Sequence, residues 1–447
     1  MRPYSCGVII QSQGGGIHEY CFIAVHQTLE EIVSACPYQN ILDPDFYVEG
    51  HHHKNLLDIA RKADKPVVKI DDPLAGIPYW AVLTQKEADI VCKDPLTFSS
   101  EARSAMPVEF EEGDLEMQRQ MMVNMDPPKH QKYRRIARNA FTPKAVEAYH
   151  DTFKTYAKQI IDAVASKGEC EFITEVAAEL PLMAILDLCG VPLEDRSKIF
   201  QWTNQMFFVD DAEIGGEDGA NQAREATINV FMYAEQLAQQ HAEKPLNNIV
   251  GALLDSEVED QKLTTIEFQM FFVMLIAAGN ESTRSVTSHA MRLLMEHPDQ
   301  LEMLVADPSL IPDAVEEALR YNPAFIGMRR TVMKDTELGG QQLKQGDKLM
   351  LNWHLINMDE AVFDDPLTFD ITRAQRMPEL YREHRAFGAG QHFCIGSHLA
   401  RLELRVILEE LIPRLRNPKF VEPVKYMRDS FVNGIKEMKI SFDPEVA

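Results

Sequence analysis

One long helical pattern constrains the fold of this chain more than any other feature. It starts at the capping box Thr264–Glu267 and continues to Glu296, where Pro298 stops it. About 33 residues rising about 1.5 Å each predict a helix of roughly 50 Å, long enough to cross the whole molecule. Its first half is apolar on nearly every side, so we expect it to be buried. The pattern predicts a mainly helical protein arranged around this element.

A polar stretch interrupts the middle of that apolar helix. Residues 277–284 read Ala-Ala-Gly-Asn-Glu-Ser-Thr-Arg. A glycine inside a helix costs about 1 kcal/mol relative to alanine, and a buried carboxylate such as that of Glu281 costs more unless it is partnered. A buried kink with a satisfied acid is one explanation. A functional role that offsets the cost is the other.

A glycine-rich loop places one cysteine directly before a second helical run. Residues 387–396 read Phe-Gly-Ala-Gly-Gln-His-Phe-Cys-Ile-Gly, and the helical run covers Ser397 to Leu411. A thiolate at a helix N-terminus has a lowered pKa and is a ready metal ligand, because the amide dipoles favour negative charge there. Haem iron accepts such a ligand. A buried structural cysteine is the alternative for Cys394.

The loop resembles the F-G-x-G-x-H-x-C-x-G haem-binding loop of the cytochrome P-450 haem-thiolate monooxygenases at every fixed position. The resemblance runs from about Asp45 to the C-terminus and is strongest to soluble bacterial members. It implies the cytochrome P-450 fold, mainly α with small β-sheets, in which the long central helix lies over the haem and the cysteine loop beneath it. Cys394 would then bind the iron of a heme b.

Other family motifs recur in the expected order. Residues 126–135 resemble the D-P-P-x-H-x-x-x-R-R helix, residues 278–283 resemble the A-G-x-[DE]-T-[ST] oxygen-activation motif, and residues 317–320 resemble E-x-x-R. Ser282 falls where most members carry threonine, which leaves open whether Ser282 or Thr283 supplies the working hydroxyl. Glu281 would be the acid that connects to bulk water.

The resemblance assigns a role to each of these positions. The implied cofactor-binding residues are His130, Arg134, Ala278, Gly279, Arg330, Phe387, His392 and Cys394, with His130, Arg134, Arg330 and His392 on the haem propionates. The implied catalytic residues are Glu281, Ser282 and Thr283, and the implied structural residues are Glu317, Arg320 and Arg373. The predicted substrate pocket comprises Ala277, Phe325, Ile326, Met328, Phe431 and Val432, each of which ordinary core packing explains equally well.

By resemblance, the protein is a monooxygenase that inserts one oxygen atom from O2 into a C–H bond of a small hydrophobic substrate, such as a terpenoid, steroid or branched lipid. Electrons are expected from a ferredoxin and its reductase, and indirectly from NAD(P)H. Arg401, Arg405 and Lys132 are candidate docking residues. Oxidative O-demethylation of a methylated sugar or aromatic ether is an alternative. A non-catalytic haem gas sensor is another, although Glu281 and Ser282 argue against it.

Composition limits the partners and the cellular compartment that we expect for this protein. A formal charge of −24 argues against a nucleic-acid partner, and the longest apolar runs are too short for a membrane anchor. Seven scattered cysteines fit reduced thiols in a cytoplasmic protein, which we expect to be a monomer.

The chain divides, by prediction, into a poorly ordered extension over residues 1–37 and a single catalytic domain over residues 38–447. Within the domain, Val67–Leu83 predicts a small hairpin. Residues 102–125 predict a long mobile loop and residues 206–232 predict lid helices with a gating loop. Histidines 51–53 predict an exposed turn, because three adjacent histidines cannot all face one metal ion in regular structure.

Overall fold

Helices dominate the computed structural model, which describes residues 38–50, 52–207, 218–246, 248–258 and 261–445. The predicted extension over residues 1–37 lies outside the described residues. The helices are α1 (His52–Lys62), α2 (Gln85–Lys93), α3 (Glu112–Gln118), α4 (Lys129–Arg138), α5 (Pro143–Glu147), α6 (His150–Ala165), α7 (Glu179–Cys189), α8 (Arg196–Phe207), α9 (Gly219–Glu243), α10 (Ile249–Asp255), α11 (Thr265–Glu296), α12 (Pro298–Ala306), α13 (Ile311–Tyr321), α14 (Trp353–Ile356), α15 (Arg373–Arg376), α16 (Leu380–Glu383) and α17 (Ser397–Leu411).

The strands are short and fall into small sheets. They are β1 (Val67–Ile70), β2 (Tyr79–Val82), β3 (Phe98–Ser99), β4 (Glu169–Glu171), β5 (Glu257–Val258), β6 (Gln261–Lys262), β7 (Gly327–Val332), β8 (Thr336–Leu338), β9 (Gln341–Leu343), β10 (Lys348–Asn352), β11 (Arg416–Phe420), β12 (Lys425–Tyr426), β13 (Ile435–Glu437) and β14 (Lys439–Asp443). The mainly helical fold with small sheets is the one that the sequence predicts.

The central helix α11 begins and ends where the sequence predicts. Thr264 caps it, since its side chain accepts a hydrogen bond from the Glu267 N–H while the Glu267 carboxylate accepts one from the Thr264 N–H. At the other end the His297 N–H donates to the Leu293 carbonyl. Helices α7, α8, α9, α13 and α17 pack around it, so most of its side chains are buried and its length is stabilised by packing.

The largest sheet joins distant parts of the chain. Its strand order is β1-β2-β10-β7-β3. The predicted hairpin is present as β1 and β2, with Val68 opposite Ala81. Strand β10 then runs parallel to β2 and antiparallel to β7, placing Met350 opposite Ala81 on one side and Arg329 on the other. This arrangement fixes the position of Arg330 next to the cysteine loop.

The prediction of a long mobile loop over residues 102–125 is wrong in part. The segment contains helix α3 and a 3-10 turn at Met122–Asn124. Long-range hydrogen bonds anchor it. Arg119 donates to the carbonyls of Glu101 and Ala102, at 3.2 and 3.1 Å. The buried amide oxygen of Asn124 accepts from the N–H of Ala105 at 2.9 Å. Of the predicted lid, the structure describes α8 and α9, and residues 208–217 lie outside the described part.

The histidine run is also not the exposed turn that the sequence predicts. His52 and His53 are buried at the start of α1, and position 51 lies outside the described residues. The helix begins inside the run, so the two adjacent rings project into the interior, where they stack with centroids 4.3 Å apart.

None of the helices in the part of the chain that the structure describes combines the length and apolar character needed to cross a membrane.

Candidate active site

Backbone hydrogen bonds and close packing hold the cysteine loop. The Cys394 N–H donates to the Phe387 carbonyl at 2.9 Å. Gly390 has a φ of +66°, and a Cβ there would lie 2.2 Å from the Cys92 carbonyl oxygen of α2. No other residue fits at this position without moving α2. The loop therefore delivers Cys394 to a fixed place, three residues before α17.

The surroundings of Cys394 suit a metal-bound sulfur. Burial raises the pKa of its thiol, while the Gly396 N–H and the guanidinium groups of Arg134 and Arg401 act in the opposite direction. A thiol with such partners loses its proton when it binds a metal cation.

Four predicted propionate-binding residues come together beside this loop. Arg134 of α4 donates to the Phe393 carbonyl at 2.5 Å, and the rings of His130 and His392 lie 4.0 Å apart. Burial lowers the pKa of His130 to about 4, with Arg134 and Arg330 adding to the effect. Arg330 of β7 is 5% exposed.

This donor set fits the carboxylates of a haem. Arg330 donates to the neighbouring Arg329 carbonyl at 2.7 Å, and no described residue forms an ion pair with it. The Nδ1 atom of His130 is buried without a hydrogen-bond partner. Buried cationic and N–H donors without an acid require an anionic partner, and two propionates would supply it. With Cys394 on one side, the residues present fit a haem.

The middle of α11 has one accessible face. Ala278 is exposed, although Ala277 and Asn280 beside it are buried. The Ser282 hydroxyl donates to the Ala278 carbonyl at 2.6 Å, so the two residues share this face. Thr283 is buried and hydrogen-bonds Glu403 of α17. Of the two hydroxyls that the sequence left open, Ser282 is the one on the accessible face.

The acid Glu281 is sealed from solvent, and its predicted connection to bulk water stays a prediction. It is 0% exposed and forms an ion pair with Arg284. The side-chain amide of Asn280 also donates to it, at 3.2 Å. Burial raises the pKa of Glu281, although Arg284 opposes this shift. Burial thus favours the neutral, protonated form of this acid.

Helix α8 closes over this acid. The Asn280 amide donates to the Thr203 hydroxyl at 3.2 Å, and Arg284 donates to the Asn204 side-chain oxygen at 3.0 Å. No local pattern points to Thr203 or Asn204, because they lie 77 and 80 residues before their partners.

The packing of two helices explains the glycine at position 279, which no sequence pattern indicated. A Cβ at this position would lie 3.0 Å from the Cδ1 atom of Ile185 in α7. The glycine lets α7 and α11 approach closely. Its predicted contact with a cofactor therefore stays a prediction.

The predicted pocket residues divide by accessibility. Phe325, Met328 and Phe431 are partly exposed, and the rings of Phe325 and Phe431 lie 4.9 Å apart. The structure buries Ala277, Ile326 and Val432, so these three support the wall from behind.

Glu317, Arg320 and Arg373 form a buried network. Arg320 donates to both oxygens of Glu317 at 2.7 and 2.8 Å, and Arg373 donates to the same carboxylate at 3.0 Å. Further donors and acceptors come from the backbone of Asn357, Pro366 and Asp370. The network ties α13 to the segment that precedes the cysteine loop.

Two of the predicted docking residues are engaged elsewhere. Arg401 lies 2.7 Å from the Glu316 carboxylate and stacks on Phe387 with its guanidinium carbon 4.6 Å from the ring centre. Arg405 lies 3.8 Å from Glu147. Exposed cations instead surround an open cavity of about 480 Å³ beside Cys394, lined in part by Arg135 and Arg138.

Comparisons with known proteins agree with this geometry. The family model described as Cytochrome P450 matches residues 91–442. A steroid C26-monooxygenase of Rhodococcus jostii is 33% identical over 90% of this chain and 84% of its own length. A methyl-branched lipid omega-hydroxylase of Mycobacterium tuberculosis is 30% identical over 84% of this chain and 87% of its own length. Among solved structures, a Mycobacterium marinum cytochrome P450 in complex with pseudoionone has a TM-score of 0.82 at 30% identity, covering 92% of this chain and all of that one.

Proposed function

Because the chain belongs to the cytochrome P450 family, we propose that it is a haem monooxygenase that hydroxylates the terminal carbon of a steroid side chain or a methyl-branched lipid. The names of both curated relatives specify oxidation at the end of an alkyl chain. The partly exposed rings of Phe325 and Phe431 supply an apolar surface of the kind that such a chain requires.

The observation that carries the proposal is the convergence of Cys394 with the four cationic or imidazole donors. The Cys394 sulfur would bind the iron, and His130, Arg134, Arg330 and His392 would hold the propionates. When bound, the haem supplies the activation of O2 and the oxidation of the C–H bond. The chain itself positions the cofactor and manages protons.

Proton supply falls to the accessible face of α11 and to the acid behind it. The Ser282 hydroxyl lies on that face, where its oxygen can accept a hydrogen bond while its proton is donated to the Ala278 carbonyl. Burial favours the protonated form of Glu281, the residue before Ser282 in the chain. Arg284 lies against the Glu281 side chain and stabilises its charged form once the proton has left.

We propose that electrons arrive from a ferredoxin and its reductase, which draw on NAD(P)H. The exposed Arg135 and Arg138 at the open cavity beside Cys394 are the docking candidates, since positive charge there complements an acidic partner. The double variant R135E/R138E should slow reduction by ferredoxin about tenfold or more at low salt. The exposed Lys154 of α6 offers the control variant K154E, which should reduce at the wild-type rate.

The substrate is tested with a pair of steroids that differ only in the branched side chain. The holoenzyme, supplied with ferredoxin, reductase and NADH, should convert the steroid that bears the side chain to its terminal alcohol, detected by mass spectrometry. The steroid lacking the chain should give little product. Equal turnover of both steroids, or hydroxylation confined to the rings, would overturn the terminal-carbon proposal, and demethylation of methyl ethers would favour the O-demethylase.

The haem ligand is tested independently of substrate. Reduced holoenzyme with carbon monoxide should show the red-shifted band of a thiolate-bound haem, and Cys394→Ser should abolish it. A C394S protein that keeps the band would remove Cys394 from the site.

A further inference from the structure

Three buried histidines meet far along the chain from the cysteine loop. His52 and His53 come from the start of α1, and His354 comes from α14. Their exposed fractions are 2%, 7% and 0%. One ring nitrogen of each lies within 4.8 Å of the corresponding nitrogens of the other two. Such a cluster brings together side chains separated by about 300 residues.

The spacing of two of these nitrogens suits a shared metal ion. His52 Nε2 and His354 Nδ1 lie 3.3 Å apart, a distance at which one ring can donate to the other. Two imidazole nitrogens that each lie about 2.0–2.1 Å from a tetrahedral zinc ion are separated by about 3.3–3.4 Å. The outer nitrogens, His52 Nδ1 and His354 Nε2, are buried without hydrogen-bond partners, so hydrogen bonding within the protein does not saturate these rings.

The third histidine has the tautomer that many metal ligands have. His53 Nε2 lies 2.7 Å from the Tyr321 carbonyl oxygen and donates to it, which leaves the lone pair on Nδ1. Histidines that bind metals commonly donate their second ring N–H to a carbonyl in this way.

The nearby charges permit a cation. The guanidinium groups of Arg292 and Arg320 lie close enough to affect the histidines, but each is paired with an acid. Arg292 lies 2.5 Å from Glu296, and Arg320 lies 2.7 Å from Glu317. Their positive charge is thus compensated within the protein.

A fourth histidine beside the cluster does not belong to it. His289 Nε2 donates to the Asn433 carbonyl at 3.1 Å, and its Nδ1 accepts from Arg292 at 3.3 Å. Both of its nitrogens are occupied.

We propose that His52, His53 and His354 form a binding site for zinc or a similar divalent transition metal. Imidazole ligands without a carboxylate favour Zn2+, Ni2+ or Cu2+ over Ca2+ or Mg2+. The ion would staple α1 to α14 and to the C-terminal end of α13, where Tyr321 lies. The role of this ion is structural and separate from substrate oxidation at the haem site.

The test uses the full-length holoenzyme, purified without a histidine tag and dialysed against a chelator. Equilibrium dialysis against Zn2+ should give one zinc ion per chain by elemental analysis, and Mg2+ should not compete. His354→Gln should weaken zinc binding at least about 100-fold, because losing a ligand costs more than the 10- to 100-fold typical of its supporting groups. His150→Gln, which changes a partly exposed histidine on α6, should bind zinc as the wild type does.

Two further measurements keep the proposal falsifiable should H354Q fold poorly. The carbon monoxide spectrum reports whether each variant keeps its haem site, and His53→Gln removes a different ligand. Anomalous diffraction at the zinc edge from wild-type crystals should place the ion between these three rings. Absence of zinc binding, an anomalous peak elsewhere, or unchanged affinity in both ligand variants would overturn the proposal.

Discussion

Two buried glutamate–arginine pairs, with the same spacing on two helices, have opposite surroundings. Glu281 and Arg284 lie on α11, Glu317 and Arg320 lie on α13, and both acids are 0% exposed. The Glu317 carboxylate receives both arginines of its network and the Asp370 N–H. Arg320 also donates to backbone carbonyls.

Glu281 has a smaller set of hydrogen-bond partners. Besides Arg284 it receives the Asn280 amide, and Arg284 is shared with Asn204 of α8. Burial raises the pKa of Glu281. The comparison teaches that residue type and spacing do not decide the role of a buried ion pair. We therefore propose that the saturated pair fixes structure and that the pair with the raised acid pKa moves a proton.

The largest effect should come from breaking the saturated pair. Glu317→Gln leaves two arginines buried without their acid, which should cost about 3–5 kcal/mol of unfolding free energy and most of the bound haem. Denaturant unfolding and the carbon monoxide band measure this. Glu116→Gln is the control, since Glu116 makes an i,i+3 pair with Arg119 but is 63% exposed, and it should cost less than about 1 kcal/mol. Similar costs for E317Q and E116Q would contradict the structural role.

A neighbouring acid sharpens the comparison through pH. Burial alone would raise the pKa of Glu316, but hydrogen bonds from His384 and Arg401 lower it to about 2 from 4.5. Because the folded-state pKa is depressed, the stabilisation is fully present above about pH 4.5 and is lost as pH falls toward 2. It amounts to about 3 kcal/mol. The difference in unfolding free energy between wild type and Glu316→Gln should therefore shrink as pH falls below about 4.5. A difference that stays constant with pH would contradict a stabilising role for the ionised Glu316.

Glu281→Gln should separate chemistry from stability. Glutamine keeps the hydrogen-bonding shape but cannot release a proton, so product formation should fall about 100-fold. Its unfolding free energy should change less than that of E317Q. Product formed per NADH consumed, together with hydrogen peroxide released, is the measurement. Glu296→Gln, at the far end of the same helix, should keep product formation within about twofold, and an equal loss in both variants would break the comparison.

The smallest effects should distinguish the two hydroxyls beside Glu281. Ser282→Ala should lower product per NADH about tenfold, because the accessible hydroxyl is removed. Thr283→Val should mainly cost about 1 kcal/mol of stability through its lost hydrogen bond to Glu403. Product per NADH and unfolding curves should be measured on both variants. A loss of product in T283V and a loss of stability alone in S282A would assign the working hydroxyl to Thr283.

Local patterns in the sequence were enough to predict much of the fold. The bounds of α11 follow from its capping box and from Pro298, and α17 covers the predicted Ser397–Leu411. The hairpin of β1 and β2 follows from turn residues between alternating strands. These elements depend on neighbours in the chain, so the chain itself carries the signal.

The errors in prediction came from partners distant in sequence. His52 meets a ring 302 residues later, and Arg401 meets Glu316 at a separation of 85. Asn204 and Thr203 join the acid of α11 only because α8 folds across it. Periodicity cannot report such pairs, since no local rule links the two positions.

Strand β10 pairs with β2 in parallel and with β7 antiparallel, and this has a consequence for biosynthesis. Strand β10 is the only described neighbour that joins the hairpin of β1 and β2 to β7. As the ribosome makes the chain from its N-terminus, the β2 edge is translated early and must wait for Lys348–Asn352 before it gains this partner. An unpaired edge invites association between chains. Nascent chains that stall before residue 352 should therefore depend on chaperones more than chains that stall just after it.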